Sequence, residues 1–250
     1  MTQLTPYRKV AQAALMSWNK LTGEEALKAV KESSFDKLEG QVDATGSMTT
    51  AVKAIGKMLN YSDKKTQALL DATFSKENVE PTKEDLEVFV NVADDFAKIA
   101  NKEDAIFDIL TSIHDGWVAD NAKKFNQEGR EGRRYQHFPI EMIGWEEATS
   151  DLMFVEPILN YLGVKVDKAK LQERYYERVA DFLETNGFAD ENGLDNDKIA
   201  EAIMKGSKFY KPFNDEKNLV TDQELALEIA GQMEGKIPQE ALDFVKGSQK

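Results

Sequence analysis

Several residue types are scarce or missing in this chain of 250 residues, and each absence excludes a class of protein. Cysteine is missing altogether, which excludes disulfide bonds, thiol catalysis, cysteine-ligated zinc and iron–sulfur clusters. The two histidines form neither the Glu-x-x-His motif of ferritin-like di-metal sites nor the His-Glu-x-x-His motif of metalloproteases. No apolar run approaches the roughly 18 residues that a membrane span requires.

Phosphate-binding and nucleophile motifs are missing as well. The chain contains no P-loop, no dinucleotide-binding glycine fingerprint and no Gly-x-Ser-x-Gly sequence. The pair His114-Asp115 resembles the metal-site dipeptide of HD phosphohydrolases, but no earlier histidine is present to complete such a site. We therefore expect His114 to be a hydrogen-bonded packing residue beside a helical core stripe, and we predict no metal and no cofactor.

The charge is strongly negative and uneven along the chain. The net charge is −13, and the acidic and basic residues give −4 for residues 1–125 and −9 for residues 126–250. Because binding to a nucleic-acid backbone depends on neutralising phosphates with Lys and Arg, we expect neither such binding nor association with an anionic membrane. An acidic surface attracts a basic protein partner, or it simply keeps the protein soluble.

The expected location is the cytoplasm, because the N-terminal sequence lacks the features of a secretory signal. Lysines outnumber arginines by 26 to 6, which is typical of an AT-rich bacterial or phage genome.

Apolar residues recur at three- and four-residue steps along most of the chain, which predicts an all-α protein of about twelve helices. In the clearest helix Thr82 is the predicted N-cap. The apolar residues expected to face the core along that helix are Leu86, Phe89, Val90, Ala93, Phe96 and Ala97. A second strong helix is predicted from about Lys102 to Phe125. Its residues expected to face inward are Ile106, Ile109, Leu110, Ile113, Trp117 and Val118.

The sequence predicts two helical lobes joined by a loop. Residues 1–125 form the N-terminal helical lobe, residues 126–138 the Gly/Arg-rich connecting loop, and residues 139–250 the acidic C-terminal lobe. Pro157 is expected to break a helix of the C-terminal lobe. No convincing β-hairpin is found.

The connecting loop and the residues after it concentrate residue types that are rare elsewhere. Three of the six arginines, one of the two histidines and one of the three tryptophans lie between residues 130 and 145. Arginine is preferred over lysine where planar, two-pronged bonds to carboxylate or phosphate are needed. The candidate anion-binding residues are Arg130, Arg133, Arg134, Tyr135 and Trp145, and the candidate catalytic residues are His137 and Glu141.

Two interpretations of this cluster are open. In the structural interpretation, the arginines hold the loop to carboxylates just beyond it, such as Glu141, Glu147 or Asp151, and the aromatic residues pack together. In the functional interpretation, the arginines face an anionic ligand and Trp145 forms one wall of its site. Glu141, four residues after His137, then orients the His137 ring or acts as a base.

The function that the sequence favours is binding or regulation of another macromolecule by an acidic protein of bacterial, phage or mobile-element origin. A protein partner is expected to meet the acidic faces or the arginine-rich loop. The first alternative is an enzyme that acts on a phosphorylated or other anionic small molecule through His137, Arg133 and Arg134. The second is an acidic decoy that mimics nucleic-acid phosphates, because residues 135–164 and 179–197 contain no basic residue.

Overall fold

The structure is a computed structural model that describes residues 44–74, 82–127, 138–205 and 223–248. Within these ranges the chain forms ten α-helices, one 3-10 helix and one sheet of two short strands, which confirms the predicted all-α class there. In chain order the helices are α1 (Ala44–Met58), α2 (Asp63–Phe74), α3 (Lys83–Ala97), α4 (Lys102–Gln127), α5 (Trp145–Ala148), α6 (Leu152–Tyr161), α7 (Lys168–Asn186), α8 (Asn196–Met204), α9 (Gln223–Glu234) and α10 (Gln239–Ser248). The 3-10 helix is Ile140–Met142, and the strands are β1 (Ala189–Asp190) and β2 (Gly193–Leu194).

Contacts between residues divide the chain into two compact units. Unit 1 comprises Met1–Ile113 and Ser150–Asp167, and unit 2 comprises His114–Thr149 and Lys168–Lys250. The contacts thus group α6 with helices of the N-terminal part of the chain. The predicted division of the chain at the 126–138 loop stays a prediction, because most of that loop lies outside the described residues.

In unit 1, α1 ends in a Schellman motif. The N–H of Asn60 donates to the Lys57 carbonyl, at 3.0 Å. The N–H of Tyr61 donates to the Gly56 carbonyl, at 2.9 Å. Asn60 adopts the left-handed conformation that this motif requires, with a φ of 53°. The chain therefore turns sharply here and presents Tyr61 at the start of the connection to α2.

The start of α3 confirms the predicted cap. The Thr82 hydroxyl accepts a hydrogen bond from the Asp85 N–H, and the Asp85 carboxylate accepts one from the Thr82 N–H. This reciprocal pair is a capping box, which satisfies two backbone donors that a helix start leaves without a partner. Local sequence alone thus sets the first residue of the helix.

The core of unit 1 forms where α2 packs against α1 and α3, and where α6 packs against α1. A side-chain carbon added at Gly56 would lie 2.7 Å from the Thr66 hydroxyl oxygen, so glycine permits α1 and α2 to approach closely. The largest fully buried side chains of this unit are Ile55, Leu69, Phe96, Phe107, Ile109 and Leu110.

Helix α6 continues through Pro157, so the predicted break at that residue is wrong. A proline inside a helix removes one backbone hydrogen bond and costs about 3 kcal/mol. The helix also buries apolar residues on both sides of the proline, and each contributes about 1.5–3 kcal/mol when fully buried. These residues are Phe154, Val155, Ile158 and Leu159. Packing therefore outweighs the local preference.

Helix α7 is the centre of unit 2. It packs against α10, the 3-10 helix and β1, while α8 and α9 pack against each other. The buried residues of α7 are Leu171, Tyr175, Val179, Ala180 and Leu183. The helix stops before Gly187, as predicted, and Gly187 has a φ of +66° that favours glycine.

A short β-hairpin follows α7, so the prediction that the chain has none is wrong. Ala189 pairs with Leu194, and Asp190 pairs with Gly193, in antiparallel register. The Asp190 carboxylate accepts a hydrogen bond from the Asn192 N–H at 2.7 Å, which closes the turn. With two residues in each strand, alternation of apolar and polar residues is too short to reveal the hairpin.

Three side chains that were predicted to face inward are exposed instead. Leu86 and Val90 of α3 are 44% and 58% exposed, and Trp117 of α4 is 55% exposed. The residues of α3 that are buried are Phe89, Val92 and Phe96. The apolar periodicity of α3 therefore covers two faces, of which only one lies against the core.

Candidate functional site

The predicted anion-binding segment is described only in part. Its residues that lie outside the described ranges are Arg130, Arg133, Arg134, Tyr135 and His137. Glu141 and Trp145 are described, and both belong to unit 2. Glu141 lies on the 3-10 helix, and Trp145 is the first residue of α5.

Glu141 is held in a sheltered ion pair. Its Oε1 accepts a hydrogen bond from Nη2 of Arg178 on α7, at 3.2 Å. The Glu141 and Arg178 side chains are 16% and 22% exposed, so water screens this pair less than it screens a surface pair. The partner is Arg178 of α7, which neither interpretation of the arginine cluster included.

Trp145 packs against the buried ring of Tyr175. The two ring centroids are 5.6 Å apart with planes at 57°, and the Tyr176 ring lies 6.1 Å from Tyr175. Gly144, just before Trp145, has a φ of +88°, which strains any residue other than glycine. The segment around Trp145 is thus attached to α7 through aromatic contacts.

The Tyr175 phenol is not poised for proton transfer. Burial raises its pKa above the ordinary value of 10.0, and the nearby Glu141 and Glu147 carboxylates act in the same direction against an opposing contribution from the Gly144 backbone. Glu147 lies 3.6 Å from the ammonium group of Lys236. Glu141 and Glu147 are thus each paired with a cation, and the Tyr175 phenol stays neutral at neutral pH.

His114 has the packing role predicted for it. Its Nε2 lies 2.9 Å from the backbone oxygen of Phe138, and the ring N–H donates to that carbonyl. The side chain is half-buried. Within unit 2 the hydrogen bond joins α4 to the beginning of the segment that carries Glu141 and Trp145.

A second candidate site is an exposed apolar face of α3 in unit 1. We define the apolar stripe as Leu86, Val90, Ala93 and Ala97, which share one face because residues three and four apart are neighbours on a helix. The exposed carboxylates of Glu87 and Asp94 lie along one edge of this stripe. Single apolar residues are common on protein surfaces, whereas a contiguous apolar surface is more typical of an interaction site.

A third feature is a polar cluster beside a cavity of about 380 Å³, also in unit 1. We define the tyrosine–aspartate cluster as Tyr61, Lys65, Asp95 and Lys98. The Tyr61 hydroxyl donates to Asp95 Oδ2 at 2.7 Å, and Lys98 Nζ donates to Asp95 Oδ1 at 2.8 Å. Lys65 Nζ lies 3.6 Å from Asp95 Oδ2 and 4.3 Å from the centre of the Tyr61 ring.

The contacts of this cluster fix its protonation states. Hydrogen bonds from Lys98 and Tyr61 stabilise the Asp95 carboxylate and lower its pKa from 3.8 to about 2. Burial, followed by the hydrogen bond to Asp95, raises the pKa of the Tyr61 phenol. At neutral pH the cluster therefore contains one carboxylate, one neutral phenol and two ammonium groups.

Sequence analysis did not identify this cluster. Tyr61 and Asp95 are 34 residues apart, and neither belongs to a recognisable motif. The left-handed turn at Asn60 was the available signal, because asparagine at the end of an apolar helical pattern is a common helix stop. That signal locates the turn, but it does not reveal which carboxylate Tyr61 will meet.

Neither a metal site nor a membrane-spanning helix is found in the described part of the chain. Among the described residues, no group of three or more His, Asp or Glu side chains is arranged to hold a metal ion. None of the described helices is long and apolar enough to cross a membrane. No family model, no curated protein and no solved structure matches the chain.

Proposed function

We propose that the chain is an acidic binding or regulatory protein that acts on another macromolecule, and that this macromolecule is a protein with a basic, partly apolar docking segment. The observation that carries the proposal is the apolar stripe of α3. There Leu86 and Val90, one helical turn apart, are 44% and 58% exposed.

A partner gains free energy by covering these two side chains. Complete burial of an exposed aliphatic side chain contributes about 1.5–3 kcal/mol. Leu86 and Val90 are already about half-buried, so each supplies a fraction of that amount. A few apolar anchors of this kind commonly supply most of the free energy of a protein interface.

The charge around the apolar stripe favours a basic partner. Glu87 and Asp94 are exposed beside it, and the chain as a whole has a net charge of −13. Complementary charge at the edge of an interface increases the association rate and disfavours partners of like charge. A docking segment with lysine or arginine next to its apolar residues fits this arrangement.

The proposal is tested by photo-crosslinking in the source organism. A photoreactive residue replaces Val90 in one variant and Asn91 in another, because both positions are exposed and their side chains point about 100° apart around the helix. We expect a discrete adduct with a second protein from position 90 and a weaker one from position 91, which lies beyond the acidic edge formed by Glu87 and Asp94. Adding Leu86→Glu to the first variant should abolish the adduct.

Two outcomes would contradict this proposal. Equal adducts from positions 90 and 91 would mean that the apolar stripe does not select the partner. An adduct that contains only a second copy of the chain, checked by light scattering of the purified protein, would make the stripe a self-association surface instead.

The two alternative functions receive less support. The enzyme depends on His137, Arg133 and Arg134, which lie outside the described residues, and on Glu141, which pairs with Arg178. The decoy requires rows of free carboxylates, whereas several surface carboxylates are paired with lysine. Within the stretches 135–164 and 179–197, Glu147 pairs with Lys236, Asp195 pairs with Lys198, and Glu141 pairs with Arg178.

For the whole chain we also propose about twelve helices in two lobes, a cytoplasmic location and a bacterial or phage origin. The helix count is supported by the apolar periodicity of the sequence, which continues outside the described ranges. Limited proteolysis followed by mass spectrometry tests the connecting loop: the first cleavage should fall within residues 126–138.

A further inference from the structure

The cavity beside the tyrosine–aspartate cluster has the size and the two-sided chemistry of a small-molecule site. Its volume of about 380 Å³ lies within the range of roughly 300–1,000 Å³ that is usual for ligand pockets. The apolar lining residues are Met58, Leu59 and Ile99, and the polar lining residues are Asn60, Tyr61, Lys65 and Asp95.

The tyrosine–aspartate cluster contains two lysines and one carboxylate, of which Lys65 and Asp95 line the cavity. Asp95 Oδ1 accepts a hydrogen bond from Lys98, and Oδ2 accepts one from Tyr61 and lies near Lys65. One carboxylate therefore faces two ammonium groups, each with three N–H donors. Asp94 is near Lys98 and offsets part of its charge. Lys65 Nζ lies 3.6 Å from Asp95 Oδ2, beyond hydrogen-bond distance, so its N–H donors remain available to a ligand on this side.

Lys65 is also held in place before any ligand arrives. Its ammonium group lies 4.3 Å from the centre of the Tyr61 ring and 3.6 Å from Asp95. Contact with an aromatic face and with a carboxylate restricts a side chain that is otherwise flexible. Restricting it in advance lowers the entropy that binding would cost.

We propose that this cavity binds a small amphipathic anion, with its carboxylate or phosphate at Lys65 and Asn60 and its apolar part against Met58, Leu59 and Ile99. A cation is disfavoured because the Asp95 carboxylate is already occupied by Tyr61 and Lys98. An anion without an apolar part would leave the aliphatic side of the cavity in water. This site is independent of the apolar stripe proposed for protein binding.

The test is calorimetric titration of the purified full chain with four probes: hexanoate, hexyl phosphate, acetate and hexanamide. We expect hexanoate, hexyl phosphate or both to bind. Acetate lacks the chain and hexanamide lacks the charge, so we expect each to bind about tenfold more weakly or worse. Binding of only one of the two six-carbon anions identifies the acidic group that the site prefers.

Neighbouring lysines provide a matched pair of variants. Lys65→Met should weaken binding of the six-carbon anions about tenfold or more, whereas Lys64→Met, at an exposed position outside the cavity, should change it less than about twofold. Circular dichroism checks that both variants are folded. The proposal is overturned if neither six-carbon anion binds at millimolar concentration, or if both variants weaken binding equally.

Discussion

Glu141 and Asp95 are both carboxylates that contact a cation and lie near a tyrosine, yet their surroundings differ. In unit 2, Glu141 pairs with Arg178, and the two side chains are 16% and 22% exposed. In unit 1, Asp95 pairs with Lys65 and Lys98, whose side chains are 61% and 73% exposed. The Glu141–Arg178 pair lies among packed side chains, whereas Asp95 and Lys65 line a cavity.

The same chemical groups therefore affect either stability or ligand access, depending on how exposed they are. A sheltered pair is less screened by water, so losing one partner leaves an expensive uncompensated charge. An exposed pair contributes little to stability, but its ammonium groups remain accessible to a ligand. We therefore expect substitutions near Glu141 to change stability and substitutions near Asp95 to change titration and binding.

The largest effect is expected from removing the ring against which Trp145 packs. Tyr175→Ala deletes a side chain that is 1% exposed, so the free energy of unfolding should fall by about 3–5 kcal/mol. Denaturant unfolding measures this change. The control is Tyr176→Ala, where the ring is only half-buried and the loss should be smaller. Equal losses would show that Tyr175 does not anchor this part of unit 2.

The next effect comes from breaking the sheltered ion pair. Arg178→Met leaves the Glu141 carboxylate without its cation and should lower the free energy of unfolding by about 1–3 kcal/mol. Arg174→Met is the control, because Arg174 lies one helical turn before Arg178 and pairs with Glu177. The Arg174 and Glu177 side chains are 28% and 40% exposed. We expect a loss below about 1 kcal/mol there. If Arg174→Met lowers the free energy of unfolding as much as Arg178→Met does, then the lower exposure of the Glu141–Arg178 pair does not make it more stabilising.

A smaller effect, visible mainly in its pH dependence, is expected at Asp95. Its pKa of about 2 in the folded protein is below the ordinary 3.8, so its contribution to stability is present above pH 3.8 and is lost as the pH falls towards 2. The melting temperature of wild type should exceed that of Asp95→Asn most at neutral pH, and the gap should close below about pH 4. Asp94→Asn controls for the loss of one charge in the same turn. A gap that stays constant with pH would contradict this prediction.

The smallest effect on stability is expected from Lys98→Met, because the Lys98 side chain is 73% exposed. Its hydrogen bond is nevertheless the largest cause of the lowered pKa of Asp95. The variant should therefore unfold like wild type while the pKa of Asp95 rises towards 3.8, as measured by NMR titration of the carboxyl carbon. An unchanged pKa would mean that Tyr61 and Lys65 suffice to keep the Asp95 carboxylate ionised.

Local sequence signals were sufficient to predict the helical class and many helix ends in the described residues. Thr82 and Asp85 form the capping box at the start of α3, and Gly187 follows the end of α7. These signals are reliable because a cap is made by residues within one helical turn of each other. The hydrogen bond of His114 was also expected, because a histidine beside a core stripe needs a partner for its ring.

The sequence was less informative about the candidate sites. It singled out Trp145 as a rare residue type and Glu141 because it lies four residues after His137, and it gave no reason to associate them with Tyr175 and Arg178. The positions of Arg130, Arg133, Arg134, Tyr135 and His137 lie outside the described residues, so their roles stay predictions.

Which apolar helix faces are buried, and which charged side chains form ion pairs, depends on tertiary packing and could not be predicted from local sequence. Helical periodicity places Leu86, Val90 and Trp117 with buried residues, yet their side chains are 44%, 58% and 55% exposed. It likewise cannot bring Tyr61 to Asp95, 34 residues away. The physical reason is range: capping and periodicity act within a few residues, whereas burial and ion pairing depend on which distant segments pack together.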